Sequence, residues 1–415
     1  MNETLPLLLA LALFISAAKV MGLASLRLRQ PAVLGELLAG LLLGPTLLDV
    51  FSRPLFSSPV VRQTVEQLAE IGVIFLMFVA GLEVELEEMR RAGRRATLVG
   101  SLGVFTPLLL GALASLLFHY SLQESIFIGL ILTATSVSIS AQTLMELGFL
   151  RSREGVTLLG AAVVDDVLAI LLLAFFVALV GDSGAEGLVG IIGIVARMVI
   201  FLALGIVLAL RLLPRLTSRV ERLPVSESLM TWVVVVCLFF AWAAEALGGV
   251  AAITGAFLAG IAFSRTPYHQ FITGRMHSLA YAFFVPLFFV HVGLQANGRT
   301  LGLQTLPFLL VIILVAVLSK VLGCGLGALL GGMTPREALR VGVGMTSRGE
   351  VGLIIANVGL SAAIIDETVL SGVVIVVLVT TLITPPLLRA AFPAGRVAPV
   401  AHRLPQDTEE VMTTQ

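Results

Sequence analysis

Charge is scarce in this chain. Only 13% of its 415 residues are Asp, Glu, Lys or Arg, and lysine occurs just twice, at Lys19 and Lys320. The two signs cancel to a net charge of zero, which argues against nucleic-acid binding as the main business of the chain. Two cysteines, Cys237 and Cys324, both lie inside apolar runs, so neither a disulfide framework nor a thiolate metal centre is implied. The N-terminus, MNETLPLLL, lacks the basic stretch of a cleavable signal, so its first hydrophobic run is expected to remain as a membrane helix. No repeated carbonyl-filter segment of the TVGYG kind is found, which disfavours a channel. What the chain has instead is apolar surface: 58% hydrophobic residues and a mean hydropathy of +1.05. No soluble domain of this size buries so much, and the fold class is therefore an all-α polytopic protein of the lipid bilayer.

Thirteen runs are long enough to cross ~30 Å of hydrocarbon. They fall at 5–25, 31–50, 66–83, 96–118, 124–147, 155–180, 187–213, 228–247, 249–264, 278–295, 303–332, 341–361 and 367–390. Basic residues test the count. Loops after odd-numbered spans, with the tail, hold 19 arginines, from Arg27 to Arg403; loops after even-numbered spans hold three, Arg53, Arg62 and Arg299. The positive-inside rule then places the N-terminus outside and the C-terminus in the cytoplasm.

The two halves resemble each other. GELLAG (35–40) matches GAFLAG (255–260), FLMFVAGLE (75–83) matches LFFVHVGLQ (287–295), and ATSVS (134–138) matches MTSRG (345–349). The offsets are 220, 212 and 211, in order, and each joins spans seven apart. An odd separation turns the second copy over, so spans one to six and eight to thirteen form an inverted repeat with span seven as linker. That plan belongs to secondary transporters, whose sites form at the midplane between the repeats.

Within it, GAAVVDDVLAILLLA (160–174) carries two adjacent carboxylates, Asp165 and Asp166, between Glu154 and Asp182. At a helical rise of ~1.5 Å per residue the pair lies ~16 Å or more from either charge. Acids at that depth are costly and mark function by default. Lys320 in span eleven lies at a matching depth, so a buried Asp–Lys pair is possible. Such a pair acts as a switch rather than a source of stability. Spans five and twelve carry matched polar breaks: Thr133, Thr135, Ser136, Ser138 and Ser140 in one, Thr346, Ser347, Arg348, Gly349 and Glu350 in the other. Unwound backbone in a membrane is tolerated only where it is buried or lines a cavity. Arg348 and Glu350 are expected to neutralise each other there, with Thr346 and Ser138 in support. Glu36, Glu83, Glu245 and Arg197 are read as interfacial or interhelical pairs, Lys19 as a snorkelling residue, and His291 as a satisfied core histidine.

VVDDV in span six, ATSVS in span five, Lys320 and SRGEVGLI (347–354) together resemble the monovalent cation:proton antiporter superfamily, CPA2 branch, and within it the bacterial sodium/proton antiporters with a paired-aspartate motif. The resemblance runs to about residue 390. It implies a homodimer in a bacterial inner membrane. The dimerisation domain would hold helices of 1–95 and 226–300, the mobile core those of 96–182 and 301–391. Residues 183–225 would be the linker helix and 392–415 a disordered cytoplasmic tail. Spans five and twelve would be discontinuous helices that cross. By position, Asp166 would carry the cation and the proton, Asp165 would partner Lys320, and Thr135 and Ser136 would complete a Na⁺ site. The implied function is exchange of cytoplasmic Na⁺ or Li⁺ for external protons, electrogenic, with no cofactor and no enzymatic step. Two departures stand out. Thr135 and Ser136 sit where some relatives carry an acid, and no nucleotide-binding domain follows the last span. A potassium/proton antiporter of the same fold is the alternative, with a cation channel behind it. An intramembrane aspartyl protease is excluded, because adjacent residues ~100° apart on one helix cannot form a facing dyad.

Overall fold

The computed structural model describes residues 4–84, 86–180, 184–221, 226–295 and 305–392. The expected tail falls outside this set from residue 393 onward. All regular structure among the described residues is helical. Among the described residues eight helices are long and apolar enough to cross a membrane, or nine if Ile192–Leu208 and Leu213–Val220, bent by 46°, are one span. Four shorter apolar helices accompany them.

In chain order, α1 (Thr4–Arg27), α2 (Ala32–Leu43) and α3 (Pro59–Glu83) are followed by α4 (Leu86–Leu117), α5 (Leu122–Ile131), α6 (Val137–Leu147) and α7 (Arg153–Val180). After α8 (Gly184–Arg211) and α9 (Leu213–Val220) come α10 (Ser228–Ala243), α11 (Ala252–Ser264), α12 (His269–Leu279) and α13 (Val285–Leu294). The last are α14 (Leu306–Leu330), α15 (Pro335–Gly344), α16 (Glu350–Ser361) and α17 (Glu367–Ala391). Several run past their hydrophobic cores. The third starts at Pro59 rather than 66, because Arg62, Gln63 and Thr64 interrupt the apolar run but not the helix.

Two packing groups emerge. In one, α14 lies along α4 and α4 along α7; in the other, α11 lies along α3 and α13 along α2. α14 shows how a helix apolar all round chooses its faces. Leu310, Leu314, Leu318, Leu322 and Leu326 are exposed on a lipid-facing stripe at helical spacing. Ile312, Ala316, Ser319, Lys320 and Cys324 are buried on the other side. Lys320 is thereby committed to the interior.

Glycines set the second group. A Cβ at Gly40 would strike the Val290 carbonyl and crowd Gly293, and one at Gly260 would strike the Phe78 carbonyl and crowd Gly81. The backbones meet where no side chain fits. Gly260→Val is accordingly expected to cost at least the 1–3 kcal/mol typical of overpacking, visible as loss of the monodisperse protein peak in detergent.

Two short helices start alike. Ser121 and Glu124 form a capping box before α5, and Thr334 and Glu337 form one before α15. At the second, the Thr334 backbone N–H donates to Glu337 at 2.7 Å. This bond, more than the neighbouring Arg153, holds the Glu337 carboxyl below its ordinary range despite the opposing effect of burial.

Candidate functional site

Both capped helices stop short. α5 ends at Ile131 and α6 begins at Val137; α15 ends at Gly344 and α16 begins at Glu350. The irregular segments between them are tied directly to each other. The Ser136 N–H donates to the Ser347 carbonyl at 2.9 Å, and the Ser347 hydroxyl donates back to the Ser136 carbonyl at 2.6 Å. Ser140 Oγ donates to the Gly344 carbonyl at 2.5 Å, and Ser136 and Ser138 hydroxyls lie 3.1 Å apart. Groups released by the breaks are thus re-paired across them, as burial requires.

α17 supplies the rest. Thr380 Oγ1 accepts from the Arg348 N–H at 3.2 Å, and Thr381 Oγ1 donates to the Arg348 carbonyl at 2.7 Å. Thr346 and Thr384 hydroxyls meet at 3.0 Å. This threonine face was not singled out from sequence, although TTLIT (380–384) places Thr380 and Thr384 one turn apart.

The Arg348 guanidinium donates to the carbonyls of Met345, Thr346 and Ala316, at 3.4, 3.1 and 2.8 Å, and among the described residues its Nε has no hydrogen-bond partner. The cation therefore sits at the carbonyl end of α15, where the helix dipole favours positive charge. The Glu350 side chain lies outside the described residues.

The two aspartates face different neighbours. Lys320 Nζ donates to Asp165 Oδ1 at 2.6 Å, and both side chains are wholly buried. Among the described residues no hydrogen-bond partner is found for the second carboxylate oxygen, Asp165 Oδ2. Thr135 lies beside this carboxyl, and the charge of Arg348 also reaches it. Asp166 turns the other way, as the ~100° step between helical neighbours requires. It faces a void of about 10 Å³ shared with Met77 of α3, Val137 of α6, and Ile253, Thr254 and Phe257 of α11. Thr135 and Ser136 do not line that void. Ser136 borders a separate cavity of about 470 Å³ instead, together with Gly349, Glu66, Glu70, Glu245 and His291.

The remaining expectations distribute as follows. Lys19, half exposed, reaches Glu36 at 3.6 Å. His291 meets Gln295 at 3.0 Å at the cavity wall, half-buried rather than in a packed core. The Arg197 guanidinium lies against Gly249. Two contacts that sequence reading missed join the packing groups away from the large cavity. Glu146 of α6 accepts from the backbone N–H groups of Ala32 and Val33 at 2.5 and 3.2 Å, and the Tyr281 hydroxyl donates to Gln142 at 2.6 Å.

A buried acid locked to an amine, beside a second acid facing a small void, can exchange one positive guest for another without exposing either to lipid. Known proteins resemble the chain over most of its length. Residues 10–391 match the family described as sodium/hydrogen exchanger, transmembrane. The chain is 40% identical over 385 residues to the Na(+)/H(+)-K(+) antiporter GerN of Bacillus cereus, covering 92% of this chain and 96% of that one. It is 36% identical over 379 residues to a Na(+)/H(+) antiporter of Enterococcus hirae, covering 91% and 96%. Among solved structures it is similar to the sodium proton antiporter MjNhaP1 of Methanocaldococcus jannaschii, with a TM-score of 0.69 at 18% identity, over 94% of this chain and 97% of that one.

Proposed function

The chain belongs to the sodium/hydrogen exchanger family, and from that premise we propose that it exchanges cytoplasmic Na⁺ or Li⁺ for external protons by competition at Asp166. It is a multi-pass membrane transporter, not an enzyme. The observation that carries the reading is the division of labour between adjacent acids: Asp165 is held by Lys320 at 2.6 Å, while Asp166 faces a void between helices of both packing groups. A desolvated carboxylate holds a proton or a small hard cation, not both, and that competition couples the two flows. Thr135 and Ser136 complete the ion's path, and Thr346, Ser138, Arg348 and Glu350 support the unwound segments.

The architecture we assign is thirteen spans of an inverted repeat, CPA2-like, in a homodimer of a bacterial inner membrane. The bent pair and the four shorter apolar helices, added to the eight long ones, would make up those spans, with α5–α6 and α15–α16 as the crossing pairs. Glycine contacts support the symmetry. The offsets of 220 and 212 turn Gly40 into Gly260 and Gly81 into Gly293, so the Gly40–Gly293 approach maps onto Gly260–Gly81. Ser136 maps in the same way onto its own partner, Ser347. α1–α3 with α10–α13 would be the scaffold, and α4–α7 with α14–α17 the core that moves. With the N-terminus outside, Glu66, Glu70 and Gln295 lie toward the external face and Glu146 toward the cytoplasm. The structure then has its large cavity open outward and its core latched to the scaffold on the inner side.

Lys320 gives up a proton when Asp165 joins the site, so two protons cross per Na⁺ and exchange is electrogenic. Reconstituted protein is expected to acidify or alkalinise vesicles faster when an imposed voltage favours net charge movement. Rates indifferent to voltage would make the exchange electroneutral. The activity in GerN's name favours a second reading, K⁺ as a further substrate, which flux measured with Na⁺, Li⁺ and K⁺ in turn decides.

A further inference from the structure

Several buried threonines in these helices donate their hydroxyls to the carbonyl four residues back: Thr143 to Ile139, Thr217 to Leu213, Thr380 to Val376 and Thr384 to Thr380, at 2.6–2.8 Å. Thr254 is as buried, at 4% exposure, and does otherwise. It stands in the first turn of α11, so the residues three and four before it, Ala251 and Val250, precede the helix, and the Ala251 carbonyl already takes Thr254's own N–H at 2.9 Å. The Thr254 side chain therefore lacks the preceding helical turn that takes the other hydroxyls.

What it borders is the void of about 10 Å³ that also holds the Asp166 side chain. That space admits about one water-sized guest. Among the described residues Asp166 and Thr254 contribute its only side-chain oxygens; Met77, Val137, Ile253 and Phe257 are among the apolar walls. The two oxygens come from helices of different packing groups, α7 and α11.

We propose that Thr254 is an ion-contacting residue, whose hydroxyl oxygen joins the Asp166 carboxylate around a dehydrated Na⁺ or Li⁺ when α11 lies against α7. The proposal rests on Asp166 being the carrier. It adds a ligand from the scaffold, so part of the coordination exists only while the two groups are apposed and is lost as they separate. Hard oxygen donors and a space of one small sphere select a small cation over K⁺.

The test uses the full chain in proteoliposomes, with proton flux followed over a range of Na⁺, Li⁺ and K⁺ concentrations. Thr254→Val keeps the shape and removes the oxygen. It is expected to raise KM for Na⁺ and Li⁺ about tenfold, the scale of one lost polar contact, with little change in KM for K⁺. Thr254→Ser is expected to restore the parent values, which a mere packing role for the γ-methyl would not do. A valine variant with Na⁺ and Li⁺ KM values equal to the parent overturns the proposal. If valine does not fold, Thr254→Cys, whose thiol is a poor ligand for hard cations, is read by the same two outcomes. Asp166→Asn is run in parallel. An active Asp166→Asn protein refutes the carrier assignment, whereas an inactive one beside an unaltered valine variant refutes the role of Thr254 alone.

Discussion

Asp166→Asn is expected to reduce cation-dependent proton movement in vesicles to the level of empty liposomes while leaving the protein folded. The amide matches the carboxyl in size but neither releases a proton nor carries charge. Both halves of the exchange therefore fail together, where a residue that merely shaped the path would slow one ion more than the other. The fold should survive because the ion pair between Asp165 and Lys320, which ties this helix to α14, stays in place. Removing an acid from an apolar void also removes the cost of ionising it there. The melting temperature in detergent should match or exceed that of the parent, and added Na⁺ or Li⁺ should no longer raise it, since ligand stabilises only a state it binds. Exchange at the parent rate would take Asp166 out of the site.

The parts of this arrangement that were legible in sequence are those fixed by depth along a helix. Asp165, Asp166 and Lys320 stand out because few charges surround them and because distance from the ends of a run is a matter of counting. Matched breaks in spans five and twelve were visible for the same reason, as polar residues at the same depth in two copies. Partner choice was another matter. Arg348 turns its guanidinium to the carbonyls of Met345, Thr346 and Ala316, and no spacing in the sequence announces those acceptors. Thr135 and Ser136 are neighbours in sequence but point to different places, one toward Asp165 and the other toward the large cavity. Thr254 gives no sign at all in AITGAFLAG, because its neighbourhood to Asp166 is created by α11 crossing a helix nearly ninety residues earlier in the chain. Capping boxes at Ser121 and Thr334 were legible and were passed over: the same S/T-x-x-E pattern opens both broken spans.

Lys320→Met is expected to destabilise the protein more than any other single change at the site, and Asp165→Asn added to it is expected to restore most of the loss. In the parent, the ammonium and the carboxylate are both wholly buried and 2.6 Å apart, and among the described residues no hydrogen-bond partner is found for Asp165 Oδ2. Methionine fits the apolar part of the lysine but leaves the acid without its nearest cation. Removing one member of a buried pair costs about 3–5 kcal/mol, whereas replacing both with neutral groups is often close to neutral. Melting curves of the parent, the two single variants and the double variant close a cycle, and a coupling within error of zero would mean that the two groups do not hold each other. Transport adds a second axis. The double variant keeps Asp166 and its void but has no amine to release a proton, so it should still exchange cations for protons while losing its response to voltage. A stable, active double variant that remains voltage-driven would place the second proton on some group other than Lys320, and would separate the energetic role of the pair from its role in stoichiometry.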